Sequence, residues 1–192
     1  MSTFFIGLNT YYHLGEIAVM KWDDVVEIPP WGIASIWTEV NNSIRYLIGL
    51  HKKSLGEAFQ VAYGIRDKLI TLFPIQDDLL NATCVKCQSP CCGTATVWLD
   101  YCDLIFIHLT GQLIPDHQLI EKQTDVCRYH SDKGCLIPRL SRPWVCTLYL
   151  CPPQMELLRG RGDVFRNKID KIIQEIKLGR KNLEQEFINK TS

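Results

Sequence analysis

The sequence predicts a mainly α fold with minor β: one domain over residues 1–192, with helices from both ends packed against an irregular, cysteine-rich centre. Three observations predict it. Apolar side chains at Leu55, Ala58, Phe59, Ala62, Ile65, Leu69 and Leu72 step by three or four, the face of an amphipathic helix of roughly five turns. A second stripe, Phe165, Ile169, Ile172, Ile176, Leu183 and Phe187, marks a helical arm over 154–192. Between them, residues 81–153 hold all nine cysteines and no long periodic run.

The elements follow in order. The first 28 residues read equally as short strands or loop, and Pro29-Pro30 breaks the chain before Trp31. A helix is expected from about Ala34 to Leu50. The next is capped by Ser54 and ends just short of Pro74, since proline has no N–H to continue the ladder. These elements make a helical region over 1–80. In the centre, 81–153, a short strand is expected at Thr96 to Leu99. Asp100 then caps a short helix through Leu109, with Asp103 three residues on. Asp116 caps another near 117–125. On the arm, Gly179 lies on the apolar stripe, where glycine costs about 1 kcal/mol against alanine. It marks either close packing or a break.

Composition narrows the functional classes. The 46% apolar and 22% charged residues are ordinary for a globular chain. The 21 basic and 21 acidic side chains cancel, which gives no footprint for nucleic acid or an anionic membrane. No apolar run approaches the ~18 residues that cross a bilayer. The N-terminus lacks a basic region followed by a long apolar one. A soluble, cytoplasmic protein is expected. Residues 159–181 carry eight basic and three acidic side chains, read as a solvated helix face.

The nine cysteines stand at 84, 87, 91, 92, 102, 127, 135, 146 and 151. An odd number cannot pair completely within the chain, and a reducing cytosol disfavours disulfides. The first cluster is Cys84-Val-Lys-Cys87-Gln-Ser-Pro-Cys91-Cys92-Gly. A CxxC step lets two thiolates reach one ion from a tight turn, with zinc–sulfur bonds of about 2.3 Å. Pro90 and Gly93 suit the turn that brings further thiols round. The second cluster runs from Cys127-Arg-Tyr-His130 through Cys135 to Arg142-Pro143-Trp-Val-Cys146 and Cys151-Pro152. Together the clusters offer eight thiolates, Cys84, Cys87, Cys91, Cys92, Cys127, Cys135, Cys146 and Cys151. These suffice for two four-sulfur sites, or for one site plus redox thiols. Four thiolates suit zinc and iron–sulfur clusters equally, so the metal is zinc or iron, as a single ion or a cluster.

Residues 84–151 resemble the YkgJ-type CxxCxxCC family, described as a zinc- or iron-chelating domain. In that resemblance Cys84, Cys87, Cys91 and Cys92 stand for the box, and Asp103 for an acidic residue that opens a helix after a short strand. Cys127, Cys135, Arg142, Pro143, Cys146 and Cys151 stand for the tail. Two departures lie in loops: three residues separate Cys87 from Cys91 instead of two, and the segment after Cys135 is one residue longer, with Pro138 where a tyrosine is usual. The resemblance covers neither the first 80 residues nor the arm.

Other side chains have two readings each. His130, at C-x-x-H spacing from Cys127, is an extra ligand or a structural histidine. Arg142 donates to thiolate sulfur around the ligands, or makes an ordinary ion pair. Cys102 reads as core, His108 as a partly buried helix histidine, and Trp31, Trp37, Tyr46 and Phe59 as core. No catalytic residue is identifiable. The deaminase H-x-E, the helical H-E-x-x-H, the P-loop and the dinucleotide fingerprint are all absent. The leading expectation is therefore a metal-binding protein. One alternative is a protein-modifying or redox enzyme whose cysteine-ligated centre is structural or an electron source. The other is a protein that binds a partner through its N-terminal helices. The sequence names no such partner.

Overall fold

The computed structural model describes residues 33–192, except 123 and 133, with Lys86 and Cys92 described by backbone alone. The expectations for the first 28 residues, Pro29-Pro30 and Trp31 lie outside the described residues. The fold is mainly α with a minor two-stranded sheet. Its helices are α1 (Ala34–Leu50), α2 (Gly56–Thr83), α3 (Tyr101–Leu109), α4 (Trp144–Leu148), α5 (Pro152–Gly160) and α6 (Asp163–Thr191). Strands β1 (His130–Ser131) and β2 (Gly134–Cys135) pair antiparallel, His130 opposite Cys135.

The two predicted stripes meet each other. Ala58, Ala62, Ile65, Leu69 and Leu72 of α2 and Ile169, Ile176, Leu183 and Phe187 of α6 are all buried, and α2 against α6 is the principal helix pair. Gly179 marks close packing: a Cβ there would stand 3.0 Å from Ile65 Cγ1. The break in the arm comes earlier, between α5 and α6, where Gly162 adopts φ +85°, a conformation that favours glycine. Apolar on nearly every face, α3 is buried from Cys102 to Ile107, as a helix without a polar stripe must be. On α1, Trp37 and Ile44 face the core. Trp37 donates its indole N–H to the Pro115 carbonyl at 3.1 Å.

Several boundaries differ from expectation. Ser54 does not cap α2; its hydroxyl donates back to the His51 carbonyl, 2.9 Å away, and Leu55 holds the cap position. Nor does Pro74 end that helix, which runs nine residues further. Proline removes one ladder bond, but Leu79 beyond it is buried, and Arg139 and Gln76 bind across this stretch. Arg139 donates to Asp77, to the Phe73 carbonyl (3.3 Å) and to Gln76 Oε1 (3.0 Å). Gln76 in turn donates to the Thr147 carbonyl. Tertiary contacts thus outweigh one missing hydrogen bond.

Thr96 to Leu99 is not a strand. Its pairing role is taken by a side chain, because buried Gln118 accepts from Leu99 N at 2.7 Å and donates to Leu99 O at 3.0 Å. No helix forms near 117–125 either: the described residues there are bends and turns. Tyr129 holds them, its hydroxyl bonded to both the N–H and the carbonyl of His117 at 3.0 and 3.1 Å. Tyr46 is not core but 68% exposed, whereas Trp37 is buried and Phe59 packs half-buried against the core.

Candidate metal centre

The last turns of α2, beyond Pro74, deliver Cys84 to the site. Cys84–Lys86 and Cys91–Gly93 each form one 3-10 turn. The second is closed by Gly93 N to Pro90 O (2.9 Å) and Ala95 N to Cys91 O (2.8 Å), the tight turn that Pro90 and Gly93 suit. The second cysteine segment returns to the same place. Cys151 caps α5, Pro152 and Pro153 occupy its first positions, and the cap sulfur accepts the backbone N–H of Gln154.

Gln154 joins the segments. It is 5% exposed, and its side chain makes three bonds. Oε1 accepts from Cys151 N at 3.2 Å, while Nε2 donates to Thr83 Oγ1 at 3.2 Å and to Cys84 Sγ at 3.6 Å. Thr83 Oγ1 lies 3.7 Å from the same sulfur. One amide therefore ties the first cysteine of the box to the last cysteine of the tail. Tyr149 extends the group, its phenol pushed up by burial and by the nearby Cys91 and Cys151. The hairpin stands beyond it: a Cβ at Gly93 would lie 3.9 Å from His130 Cε1. His130 is half-buried in β1 opposite Cys135.

The remaining predicted residues spread from this nucleus. Cys84, Cys87 and Cys146 are exposed, Cys91, Cys135 and Cys151 half-buried, and Cys127 buried. The side chain of Cys92 lies outside those described. Arg142 donates Nε–H to the Ile137 carbonyl at 2.9 Å, which braces the turn before α4. Among the described residues, no three Cys, His, Asp or Glu side chains converge closely enough to surround one ion. The donor set still fits zinc or iron chemically, because thiolate sulfur is what these metals take in four-coordinate sites. Two of its sulfurs are already fixed to one residue.

Cys102 stands apart, as expected: it is 5% exposed, its Sγ donates to the Arg180 carbonyl at 3.3 Å, and burial pushes its thiol up. His108 is the anticipated helix histidine, with Nε2 2.9 Å from Asn41 Oδ1. Burial, helped by Arg45, pushes its pKa down to about 4.

Beside Cys102 lies a charged group of which the sequence revealed only the Asp100–Asp103 cap and not its arginine. Asp100 and Asp103 form a reciprocal capping box on α3: Asp103 N to Asp100 Oδ1 is 2.7 Å, Asp100 N to Asp103 Oδ2 is 3.1 Å. Arg180 of α6 reaches Asp103 Oδ1 at 2.6 Å and both Asp100 oxygens at 2.9 and 2.7 Å. Asp103 Oδ1 also accepts from Trp144 N at 3.1 Å, so this carboxylate locks the start of α4, the helix that carries Cys146. Burial pushes Asp103 up to about 7 against the pull of Arg180. Burial works against the Arg180 charge too, but Asp103, Cys102 and Asp100 hold it well above the usual guanidinium range.

The basic excess of 159–181 is partly consumed in the same way. Arg180 is internal, bound to Asp100 and Asp103, and Arg161 faces Asp78 at 3.5 Å.

Gln154 did have a sequence signal: it stands three residues after Cys151 and just past two prolines, the capping-box position. Arg180 had none, since nothing local marks one arginine of nine as internal. No helix of the described residues is long and apolar enough to cross a membrane. Comparison with family models, with curated proteins and with solved structures finds no match to this chain.

Proposed function

We propose that the chain holds zinc or iron, as a single ion or an iron–sulfur cluster, through thiolates of the segments 84–92 and 127–151. The observation that carries this reading is the tether at Gln154. Two cysteines 67 positions apart, each belonging to a spacing that suits metal ligation, are hydrogen-bonded to the same buried amide. A cluster of inert thiols has no need of such a join. Closing a four-ligand site requires further sulfurs to move in, so binding orders the segments around it.

The test is elemental analysis and visible absorption of full-length protein purified without oxygen. Iron with acid-labile sulfide and a brown colour identifies a cluster. A colourless protein with one or two zinc ions per chain identifies a zinc site. Protein that carries no metal, and takes none up when zinc or ferrous iron is added under reducing conditions, overturns the reading.

A further inference from the structure

We propose that Cys84 and Cys151 form one two-sulfur seat for a thiophilic divalent cation, and that Gln154 is the residue that builds it. This rests on the metal-binding reading and adds which thiols share an ion. The order of the cysteines along the chain favours neighbours as partners: Cys84 with Cys87, and Cys146 with Cys151. The fold joins the outermost two instead.

Three features carry the assignment. Cys84 leaves α2 at its C-terminal end, and Cys151 enters α5 at its N-terminal cap; both ends are fixed by helices that pack on each other. Cys87, exposed like Cys84, lies instead in the loop between two 3-10 turns. Gln154 is used on both sides at once. Its backbone N–H donates to Cys151 Sγ and its amide N–H to Cys84 Sγ. Its carbonyl end accepts from Cys151 N, which sets the orientation of the amide and leaves the NH2 end for sulfur. N–H donors directed at sulfur stabilise a ligating thiolate and hold its direction. Finally, Thr83 Oγ1 accepts from Gln154 and lies within reach of Cys84 Sγ, so the cradle is complete without any group from the hairpin.

Cadmium is the probe, because its thiolate complexes absorb in the near ultraviolet and report bound sulfur directly. Full-length reduced protein is titrated with Cd2+ alone, for wild type, Cys84→Ser, Cys151→Ser, the double variant and Gln154→Glu. Each serine variant is expected to bind one tight cadmium fewer than wild type, and the double variant also one fewer. Gln154→Glu replaces the N–H donor at Cys84 with a carboxylate oxygen. It should keep the stoichiometry but lose about 10–100-fold in affinity, the usual effect of removing a partner behind a ligand, with the near-ultraviolet band altered. A serine variant that binds as many ions as wild type, or a double variant that loses two, overturns the shared seat while metal binding itself stands. Gln154→Glu within twofold of wild type overturns the positioning role. Wild type that takes up no cadmium ends both this assignment and the reading beneath it. If the serine variants fail to fold, dibromobimane on the reduced wild-type chain decides. Peptide mapping that finds Cys84 bridged to Cys151 supports the seat; bridging of Cys84 only to Cys87, or no bridge to Cys151, refutes it.

Discussion

Arg180→Met tests the charged group that fastens the C-terminal helix to the cysteine-bearing half. The Arg180 side chain is 12% exposed and that of Asp103 6%, so the substitution leaves a buried carboxylate with only the N–H groups of Asp100 and Trp144 as donors. Breaking a buried pair from one side costs about 3–5 kcal/mol. The carboxyl can escape part of this by taking up a proton. With arginine present, burial already pushes its pKa to about 7, and without arginine it rises further. At pH 7 the lower end of the range, about 3 kcal/mol, is therefore expected, or a fall in Tm of about 6–12 °C for a chain of this size.

The same argument fixes the pH dependence. Asp103 in the unfolded chain ionises near the ordinary aspartate value of about 3.9. Its folded pKa is raised, so between these values the native state binds more protons and stability falls as pH rises. In the wild type that decline ends near pH 7. In Arg180→Met it continues to higher pH, at up to about 1.4 kcal/mol per unit. Urea unfolding at several pH values between 4 and 9 measures both quantities. The double variant Asp103→Asn, Arg180→Met removes the orphaned charge and should lose the extra slope. A loss under about 1 kcal/mol at pH 7, with an unchanged slope, would refute the claim that this pair is buried and coupled.

His108 titrates in the same window with the opposite sign. Its folded pKa is lowered to about 4, so it contributes stability present above its unfolded value and lost as pH falls towards 4. His108→Gln should remove that acid loss and uncover the Asp103 contribution, leaving a protein more stable at pH 4.5 than at 7 by comparison with wild type; an unchanged pH–stability profile is the contrary result. Two glycine-to-alanine changes should differ in sign. At Gly64, inside α2 with nothing within 4 Å of a new Cβ, alanine gains about 0.5–1 kcal/mol. At Gly179 the new Cβ meets Ile65 at 3.0 Å, and overpacking costs about 1–3 kcal/mol; equal shifts in Tm would contradict the close α2–α6 contact. On the proposed metal-binding reading, chelation should raise hydrogen exchange and proteolysis across 84–93 and 127–151, while α2 up to Leu72 and α6 stay protected. Full protease resistance of both cysteine segments after metal removal would refute it.

What could be read from sequence follows from the range of the forces involved. The helix from Ala34 to Leu50, the apolar face of α2, the Asp100–Asp103 cap and the stripe of α6 are local or periodic, and each matches the fold. The failures occur where a distant group replaces a local one. Pro74 is a helix breaker by itself, yet the helix continues because Arg139 and Thr147 dock on the turns around it. Thr96 to Leu99 has strand-like composition, but its backbone is paired by Gln118, a single side chain 19 residues on. The candidate site divides in the same way. The cysteine spacing, a local pattern, was legible; Gln154 bridging Cys84 and Cys151, and Arg180 bridging Asp100 and Asp103, are contacts over 70 and 77–80 residues.

These long contacts separate scaffold from centre. The α2–α6 core, closed by Gly179 on Ile65 and by Arg180 beneath α3, has apolar burial of its own and needs no ion to form. The first cysteine turn has little, with Cys84 and Cys87 exposed and Val85 78% exposed, and in the second segment Cys146 and Leu136 are exposed although Cys127, Ile137 and Trp144 are buried in the core. Segments with so few buried contacts open at low free energy unless a ligand fixes them. Two of their anchors, however, are rigid. Gln154 ties Cys84 and Cys151 to the ends of α2 and α5, and Asp103 ties the start of α4 to α6. A centre built this way starts from fixed thiols at the helix ends and recruits the rest from flexible turns. On the proposed metal-binding reading, the cost of ordering falls on the metal and not on the fold, and occupancy, more than temperature, decides whether the exposed cysteine turns are ordered.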